Sequence, residues 1–167
     1  MKRFSVIILM SVFMFVIAAS TLQAQDKVAT PADAKELLKK VVEYAKVNGC
    51  EKTFAEINKG TAFKIYKNAY PTATDLNGLS YANAKLPSLV GKNLLGIKDA
   101  AGQTFVKNGL ENRKKNFKDK DSHIVTEYKW MDTKTNHVET RSMIGAGYSC
   151  GGTIGDVSIS ITYEGKM

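Results

Sequence analysis

Apolar residues recur at intervals of three and four positions after Thr30, which is the spacing of one buried face of an α-helix. Thr30 is a suitable N-cap, Pro31 fits the first helical turn, and Asp33 lies where a carboxylate can meet the free amide groups. Asn48-Gly49 is a typical helix stop. The predicted buried face consists of Ala34, Leu37, Leu38, Val41, Val42 and Ala45.

A second, shorter helix is predicted directly afterwards, because Cys50, Phe54 and Ile57 keep helical spacing up to Lys59-Gly60. The pattern then changes to short β-prone segments and turns. These are a run with Phe63, Ile65 and Tyr66, a strand from Tyr70 to Thr74, the turn Asp75-Leu76-Asn77-Gly78, and a strand from Leu79 to Ala82. The Asn-Gly pair in the turn can take positive φ, which favours a hairpin.

A loop and a third helix follow this hairpin. The loop runs from Asn83 to Gly96, and the helix is predicted from about Gln103 to Lys115. One side of this helix carries Phe105, Val106, Gly109, Leu110 and Arg113.

The last third of the chain alternates β-branched and aromatic residues with polar ones, which predicts three antiparallel strands. Their bounds are His123 to Trp130, His137 to Met143 and Thr153 to Tyr163, with a Gly-rich turn, Gly145 to Gly152, before the last strand. On that strand Val157, Ile159, Ile161 and Tyr163 share one face and Asp156, Ser158, Ser160 and Thr162 the other. Helices before and within a meander of strands indicate an α+β domain with an antiparallel sheet.

The N-terminus predicts a signal peptide over residues 1–24. Met1-Lys2-Arg3 is positively charged, the stretch from Phe4 to Ala19 is apolar, and small and polar residues follow up to a cleavage site after Ala24. An uncleaved membrane anchor is the alternative, although the uninterrupted apolar stretch is shorter than the ~20 residues that span a bilayer. A cleaved chain has the length of one domain, predicted over residues 30–164 of an exported, periplasmic protein.

The charge balance does little to narrow the function. Without Lys2 and Arg3 the chain carries 22 Lys and Arg against 16 Asp and Glu, a net charge of +6. The one local cluster, residues 113–120, is consistent with a solvated helix end. Exported proteins rarely meet nucleic acid, so no nucleic-acid partner is expected, whereas loose attraction to acidic envelope surfaces fits the charge.

The two cysteines, Cys50 and Cys150, lie one hundred positions apart. An even pair can form a disulfide in an oxidising compartment, and the spacing matches no zinc, haem or thioredoxin motif. Two buried free thiols are the alternative.

Strong catalytic signals are missing from the sequence. It contains no His-Glu-x-x-His and no phosphate-binding loop, and the glycines at residues 145–152 are interpreted as a turn. His123 and His137 both stand at predicted strand starts with no triad partner nearby, which is typical of surface histidines. The sequence therefore argues against an enzyme, and neither a cofactor nor a metal site is predicted.

Six segments in this order and spacing resemble the single Cache family of the small, type-two kind, from about Pro31 to Tyr163. They are Asp33-Ala34, Asn48-Gly49, Thr53 to Asn58, Thr74 to Gly78, Leu89 to Leu94, and Glu127 to Trp130. The resemblance implies an extracytoplasmic, PAS-like sensor domain with a long N-terminal helix on a curved antiparallel sheet of about five to six strands. It further implies a small-molecule pocket on the sheet face beneath the loop-and-helix insertion. The Gly-rich stretch at 145–152 departs from the family pattern, which leaves the nearby pocket edge in question.

Ligands of this family are often short organic acids, and binding a small carboxylate calls for a cationic fork, polar donors and an apolar wall. Arg113 and Arg141 are the two arginines that follow the predicted signal peptide. Arg141 is the candidate anchor, on a strand next to the one with Tyr128 and Trp130. Tyr66, Tyr70 and Tyr81 on the earlier strands complete the candidate ligand-binding residues. The alternative is that the aromatic residues are core and that Arg141 pairs with Glu127 or Glu139.

These patterns together predict a periplasmic domain that binds a small, anionic metabolite and passes its occupancy to a separate partner such as a membrane receptor or kinase. The alternative is an envelope structural or interaction protein that keeps the fold without a ligand pocket.

Overall fold

A computed structural model describes residues 28–63, 66–117, 123–132 and 135–167, and within them the chain forms three α-helices and five β-strands. The predicted signal peptide and Ile65 lie outside these residues. The helices are α1 (Pro31–Asn48), α2 (Cys50–Lys59) and α3 (Phe105–Lys115). The strands are β1 (Ala69–Asp75), β2 (Ser80–Asn83), β3 (Ile124–Asp132), β4 (His137–Ser149) and β5 (Asp156–Glu164), with a short 3₁₀ turn at Pro87–Leu89.

Helix α1 begins at the predicted cap. The side chain of Thr30 accepts a hydrogen bond from the amide of Asp33 at 3.2 Å, and the Asp33 carboxylate accepts one from the amide of Thr30 at 2.8 Å. This reciprocal pair satisfies amides that the first turn leaves without helical partners. At the other end Gly49 has φ of 77°, which ends the helix at the predicted position.

Helix α2 is tied to the far end of the sheet by a disulfide between Cys50 and Cys150, whose Cα atoms lie 5.7 Å apart. Cys50 is the first residue of α2, and Cys150 directly follows β4. The bond therefore connects the helical layer to the end of the longest strand.

All five strands are antiparallel in the spatial order β2-β1-β5-β4-β3. Tyr70, Thr162, Met143 and Thr126 pair in one row across four of the strands. Because directly paired residues in antiparallel strands point to the same face, this row defines one side of the sheet.

Helix α1 covers the opposite side. Val157, Ile159 and Ile161 of β5 are fully buried there, as the alternation predicts. They pack in one cluster with Leu37, Leu38 and Val41 of α1. The sheet is thus enclosed on both sides, by α1 and α2 on one and by α3 with the preceding loop on the other.

Three sequence predictions need correction. Gly145 to Ser149 belong to β4 and do not form a turn, so the Gly-rich stretch is mostly strand and β5 starts at Asp156 rather than Thr153. Phe63 lies in a bend and Tyr66 in an isolated bridge to Ala69 rather than in a strand. The glycines misled the prediction because they usually mark turns, whereas here they let other groups approach the strand closely.

Candidate functional site

A cavity lies between the sheet face that is turned away from α1 and the layer made of α3 and the loop at residues 86–97. Its volume is about 80 Å³. One water molecule takes up about 10–15 Å³ of such space, so the cavity accommodates roughly six waters or a small organic molecule of similar size.

The floor of the cavity is a buried surface of hydroxyl groups. Thr72, Ser158, Ser160 and Thr162 are all buried and all line the cavity. The hydroxyl of Thr72 donates to the carbonyl of Ser160 at 3.4 Å, and the hydroxyls of Ser158 and Ser160 lie 3.1 Å apart. Hydroxyl groups both donate and accept hydrogen bonds, so this floor can bind carboxylates, hydroxyls or water.

Gly145 of β4 makes room for these hydroxyls. A Cβ atom at this position would lie 2.5 Å from the Oγ of Ser160 and 2.8 Å from the Oγ of Ser158. Gly109 has a similar role on α3, where a Cβ would lie 2.9 Å from the Oγ1 of Thr126. The two glycines thus bring the helix, β4 and the serines of β5 close together around the cavity.

The roof is apolar. It is formed by Leu86, Leu89, Leu94, Ile97, Phe105, Val106 and Leu110. The ring of Phe105 stacks on that of Tyr128 with centroids 4.0 Å apart, and Trp130 meets Tyr128 edge-on at 6.2 Å. A ligand in the cavity would therefore contact hydroxyl groups on one side and hydrocarbon on the other, which is the usual character of small-molecule sites.

Arg141 lies at one end of the cavity, on the same sheet face as Tyr128, its direct partner on β3. Its guanidinium is 5.4 Å from the centre of the Trp130 ring. The Nε group donates to Glu139 at 2.6 Å, and Nη2 contacts both Glu139 and, at 3.2 Å, Glu164. Of the two acidic partners considered from the sequence, Glu139 contacts Arg141, whereas Glu127 pairs in register with Ser142 and faces the other way.

Burial and neighbouring charges shift the pKa of Arg141 in opposite directions. Burial opposes the charge of Arg141, but the hydrogen bond to Glu139 and the charge of Glu164 raise its pKa above the ordinary value. Burial also raises the pKa of Tyr70 and of Tyr128, whose hydroxyls both lie within reach of Thr162. The tyrosines are therefore neutral hydrogen-bonding groups at any physiological pH.

Arg113 lines the same cavity from α3 and is only 1% exposed. Its Nη2 group donates to the carbonyl oxygen of Gly145 on β4. The guanidinium is thereby held against the sheet beside the glycine that makes room for Ser158 and Ser160.

The structure brings four of the six predicted ligand-binding residues to the cavity. Tyr70, Tyr128, Trp130 and Arg141 line it. Tyr66 and Tyr81 belong to the core beneath α1 and α2: the Tyr66 hydroxyl donates to Asp33 at 3.3 Å, and the Tyr81 ring lies 5.3 Å from that of Phe54. The aromatic pattern alone did not distinguish the two faces, since neither residue lies in a regularly alternating part of the sheet.

Sequence reasoning also missed the hydroxyl floor and Arg113. The alternating Ser158, Ser160 and Thr162 resemble a solvent-facing strand face. A signal was present nonetheless, because solvent-facing positions usually include charged residues, whereas between Asp156 and Glu164 this face carries small hydroxyls only.

The roof is fastened to the sheet at both outer strands. The carboxylate of Asp99 accepts hydrogen bonds from the amides of Lys129, Gln103 and Ala101, and these backbone groups hold the pKa of Asp99 below its usual range. The amide of Ala100 donates to the carbonyl of Lys129 on β3 at 2.7 Å.

At the opposite edge of the sheet, the loop at residues 86–97 pairs with β2. The amide of Ser80 donates to the carbonyl of Lys92 at 3.0 Å, and the amide of Gly91 donates to the carbonyl of Ser80 at 2.8 Å. The Leu89-to-Leu94 segment, which the family resemblance singled out, therefore acts as an additional short partner of β2.

The described parts of the chain give little support for a histidine-based catalytic site, a metal site or a membrane span. His123 and His137 are both exposed. No group of three or more His, Cys, Asp and Glu side chains among residues 28–63, 66–117, 123–132 and 135–167 could hold a metal ion. In the same ranges no helix has the length and apolar character needed to cross a membrane.

Comparison with known proteins gives one family and a consistent set of folds. A family model described as Single Cache domain 2 matches residues 6–149. The crystal structure of a methyl-accepting chemotaxis protein from Vibrio parahaemolyticus RIMD 2210633 has a TM-score of 0.58 and 16% identity, over 80% of this chain and 86% of that chain. No curated protein matches the chain significantly.

Two further solved structures have the same fold. The periplasmic sensor domain of a chemotaxis protein gives a TM-score of 0.53 at 16% identity, over 79% of this chain and 88% of its own. A Cache chemosensory domain, described in terms of carboxylic acid recognition, gives 0.52 at 15% identity, over 79% and 86%. At such identities the likeness is one of fold, and it agrees with the predicted helices on an antiparallel sheet.

Proposed function

The chain belongs to the family of single Cache domains of the second kind, and from this premise we propose that it is an extracytoplasmic module that binds a short organic acid. The family is one of sensor rather than catalytic domains. The observation that carries the proposal is the cavity between the sheet and α3, with its buried hydroxyl floor, its two arginines and its apolar roof. A structural protein would fill this space with hydrocarbon, because unfilled volume and buried hydroxyl groups both cost stability.

The solved Cache domain described for carboxylic acid recognition supports the choice of ligand class. The volume supports small acids, since roughly six water-sized positions match three to six heavy atoms. Binding would be reported to a separate partner, such as a membrane receptor or kinase.

Thermal unfolding of the purified protein in the presence of short organic acids and amino acids tests this function. We expect at least one acid to raise Tm, because a compound that binds only the folded state adds about 2.7 kcal/mol at a concentration of about 100 times its Kd. The matched control is the primary amide of the same acid, which has nearly the same shape without the charge. If no compound raises Tm, the fold serves as an envelope structural or interaction domain.

We further propose that residues 1–24 are a signal peptide and that residues 30–164 form the exported domain. The mature protein is then expected to begin at Gln25, within a residue or two. Intact mass measurement of periplasmic material checks this expectation. Recovery from membranes alone, at the mass of the 167-residue chain, would contradict it.

A further inference from the structure

Most of the positive charge of the domain lies in the layer that covers the cavity. This covering layer, residues 84–117, consists of the segment after β2 together with α3. It contains six lysines and one arginine against one aspartate and one glutamate, a net charge of +5. The chain without residues 1–24 has a net charge of +6, so the covering layer accounts for nearly all of the excess.

The charge of the covering layer is turned to solvent. Arg113 and Asp99 are buried, whereas the six lysines and Glu111 are exposed. Lys85 pairs with Glu164, and Lys107 lies 4.0 Å from Glu111. Within the described residues no ion pair involves the remaining four lysines of the layer, which are Lys92, Lys98, Lys114 and Lys115.

The helical layer on the opposite side of the sheet has the same number of lysines but a balanced charge. Residues 31–59, which include α1 and α2, contain six lysines and five acidic residues. Three of these lysines pair with a glutamate three or four positions away, namely Lys39 with Glu43, Lys40 with Glu36, and Lys59 with Glu56. The charge of the domain is thus asymmetric, and the cavity lies beneath its positive side.

The composition of the positive side indicates the kind of partner. The exposed large hydrophobic side chains of the described residues all lie outside the covering layer. Cores of protein–protein interfaces are rich in aromatic residues, Met and Arg, and poor in Lys. Anionic lipid headgroups, by contrast, attract clustered lysines electrostatically and require no apolar anchor. A lysine surface without exposed hydrocarbon therefore favours a bilayer surface over a protein interface.

We propose that the covering layer binds anionic lipid headgroups and turns the cavity side of the domain towards the bilayer. Each lysine close to such a surface strengthens binding about fivefold, and the association is reversible and sensitive to salt. A ligand in the cavity is then separated from the membrane surface by the covering layer alone. A receptor or kinase in that membrane would lie next to the segment that contacts the ligand.

Co-sedimentation with lipid vesicles tests this orientation. The vesicles contain phosphatidylglycerol and phosphatidylcholine in equal amounts, and vesicles of phosphatidylcholine alone serve as the uncharged control. We expect the purified protein to sediment with the anionic vesicles only. Binding is expected to weaken about tenfold or more between about 0.02 and 0.2 M salt, because the Debye length shortens as ionic strength rises.

Two variants that each lose four positive charges locate the surface. Loss of the four covering-layer lysines is expected to weaken binding about thirtyfold or more; its substitutions are Lys92→Gln, Lys98→Gln, Lys114→Gln and Lys115→Gln. The matched control changes the net charge equally on the opposite side of the sheet and is expected to weaken binding less than threefold; its substitutions are Lys35→Gln, Lys39→Gln, Lys46→Gln and Lys52→Gln. All eight side chains are exposed and none lines the cavity.

A third variant separates charge from structure. Replacing the same four covering-layer lysines by arginine keeps the charge, so binding is expected to stay within threefold of the wild type. Thermal unfolding of each variant checks that it is folded. None of these measurements involves a ligand of the cavity, so their outcome is separate from the thermal shift by organic acids.

Three results would overturn the proposal. One is failure of the wild type to sediment with the anionic vesicles, and another is equal weakening in the two glutamine variants, which would indicate attraction by net charge alone. The third is binding of the wild type to poly-L-glutamate but not to the vesicles, with loss of that binding in the covering-layer glutamine variant. The partner would then be an acidic protein surface.

Discussion

Replacing Cys50 and Cys150 by serine is expected to lower the free energy of unfolding by about 4–5 kcal/mol. The disulfide between them closes a loop of 100 residues, and the unfolded chain without it gains the corresponding loop-closure entropy. For a domain of this size the loss corresponds to a decrease in Tm of roughly 10–20 °C. Urea unfolding of the double variant beside the oxidised wild type measures the difference.

A thiol titration provides the control. Oxidised wild type, denatured without reductant, should show no free thiols, and two free thiols would contradict the pairing. Ligand affinity should change little in the double variant at temperatures where it remains folded, because neither cysteine lines the cavity.

The second large effect is expected for Ile161→Ala. Ile161 is 0% exposed in the core beneath α1, and truncation of such a side chain costs about 2–5 kcal/mol, because packing is lost and a cavity is left. Its neighbour Thr162 is 5% exposed and lines the cavity on the other face of the sheet. Thr162→Val keeps the shape and removes only a hydroxyl, so we expect the free energy of unfolding to change by less than about 1.5 kcal/mol.

Chemical denaturation of both variants, with the wild type alongside, gives the comparison. Adjacent residues of β5 then report separately on the two sheet faces. Equal losses of several kcal/mol would mean that the hydroxyl face is a tightly packed structural core, and the cavity would no longer support a binding function.

The sequence predicted secondary structure correctly where local residue preferences, such as helix caps, agreed with the period of the apolar residues. Thr30, Pro31 and Asp33 start α1 where the apolar period starts, and alternation along β5 separates Ile159 from Ser160 correctly. These features depend on neighbours within a few residues, so they are readable without the tertiary structure.

The strand register and the make-up of the candidate site depend on contacts between segments that are distant in the sequence. Whether Arg141 shares a face with Tyr128 is decided by the register of β3 and β4, which a single strand does not contain. The meaning of Gly145 likewise depends on Ser158 and Ser160 of the next strand and on Arg113 of α3. The role of a glycine or serine in a strand therefore becomes apparent only once its partners are known.

The segment that covers the cavity also forms hydrogen bonds along the edges of the two outer strands of the sheet, at Ser80 on β2 and at Lys129 on β3. Exposed strand edges are templates for association with other chains, and natural sheets cover them for this reason. In this domain one segment provides both the roof and the edge protection. A variant that loosens this segment, for example at Asp99, is therefore expected to expose two unpaired strand edges together. Aggregation as well as loss of binding then limits which substitutions the roof tolerates.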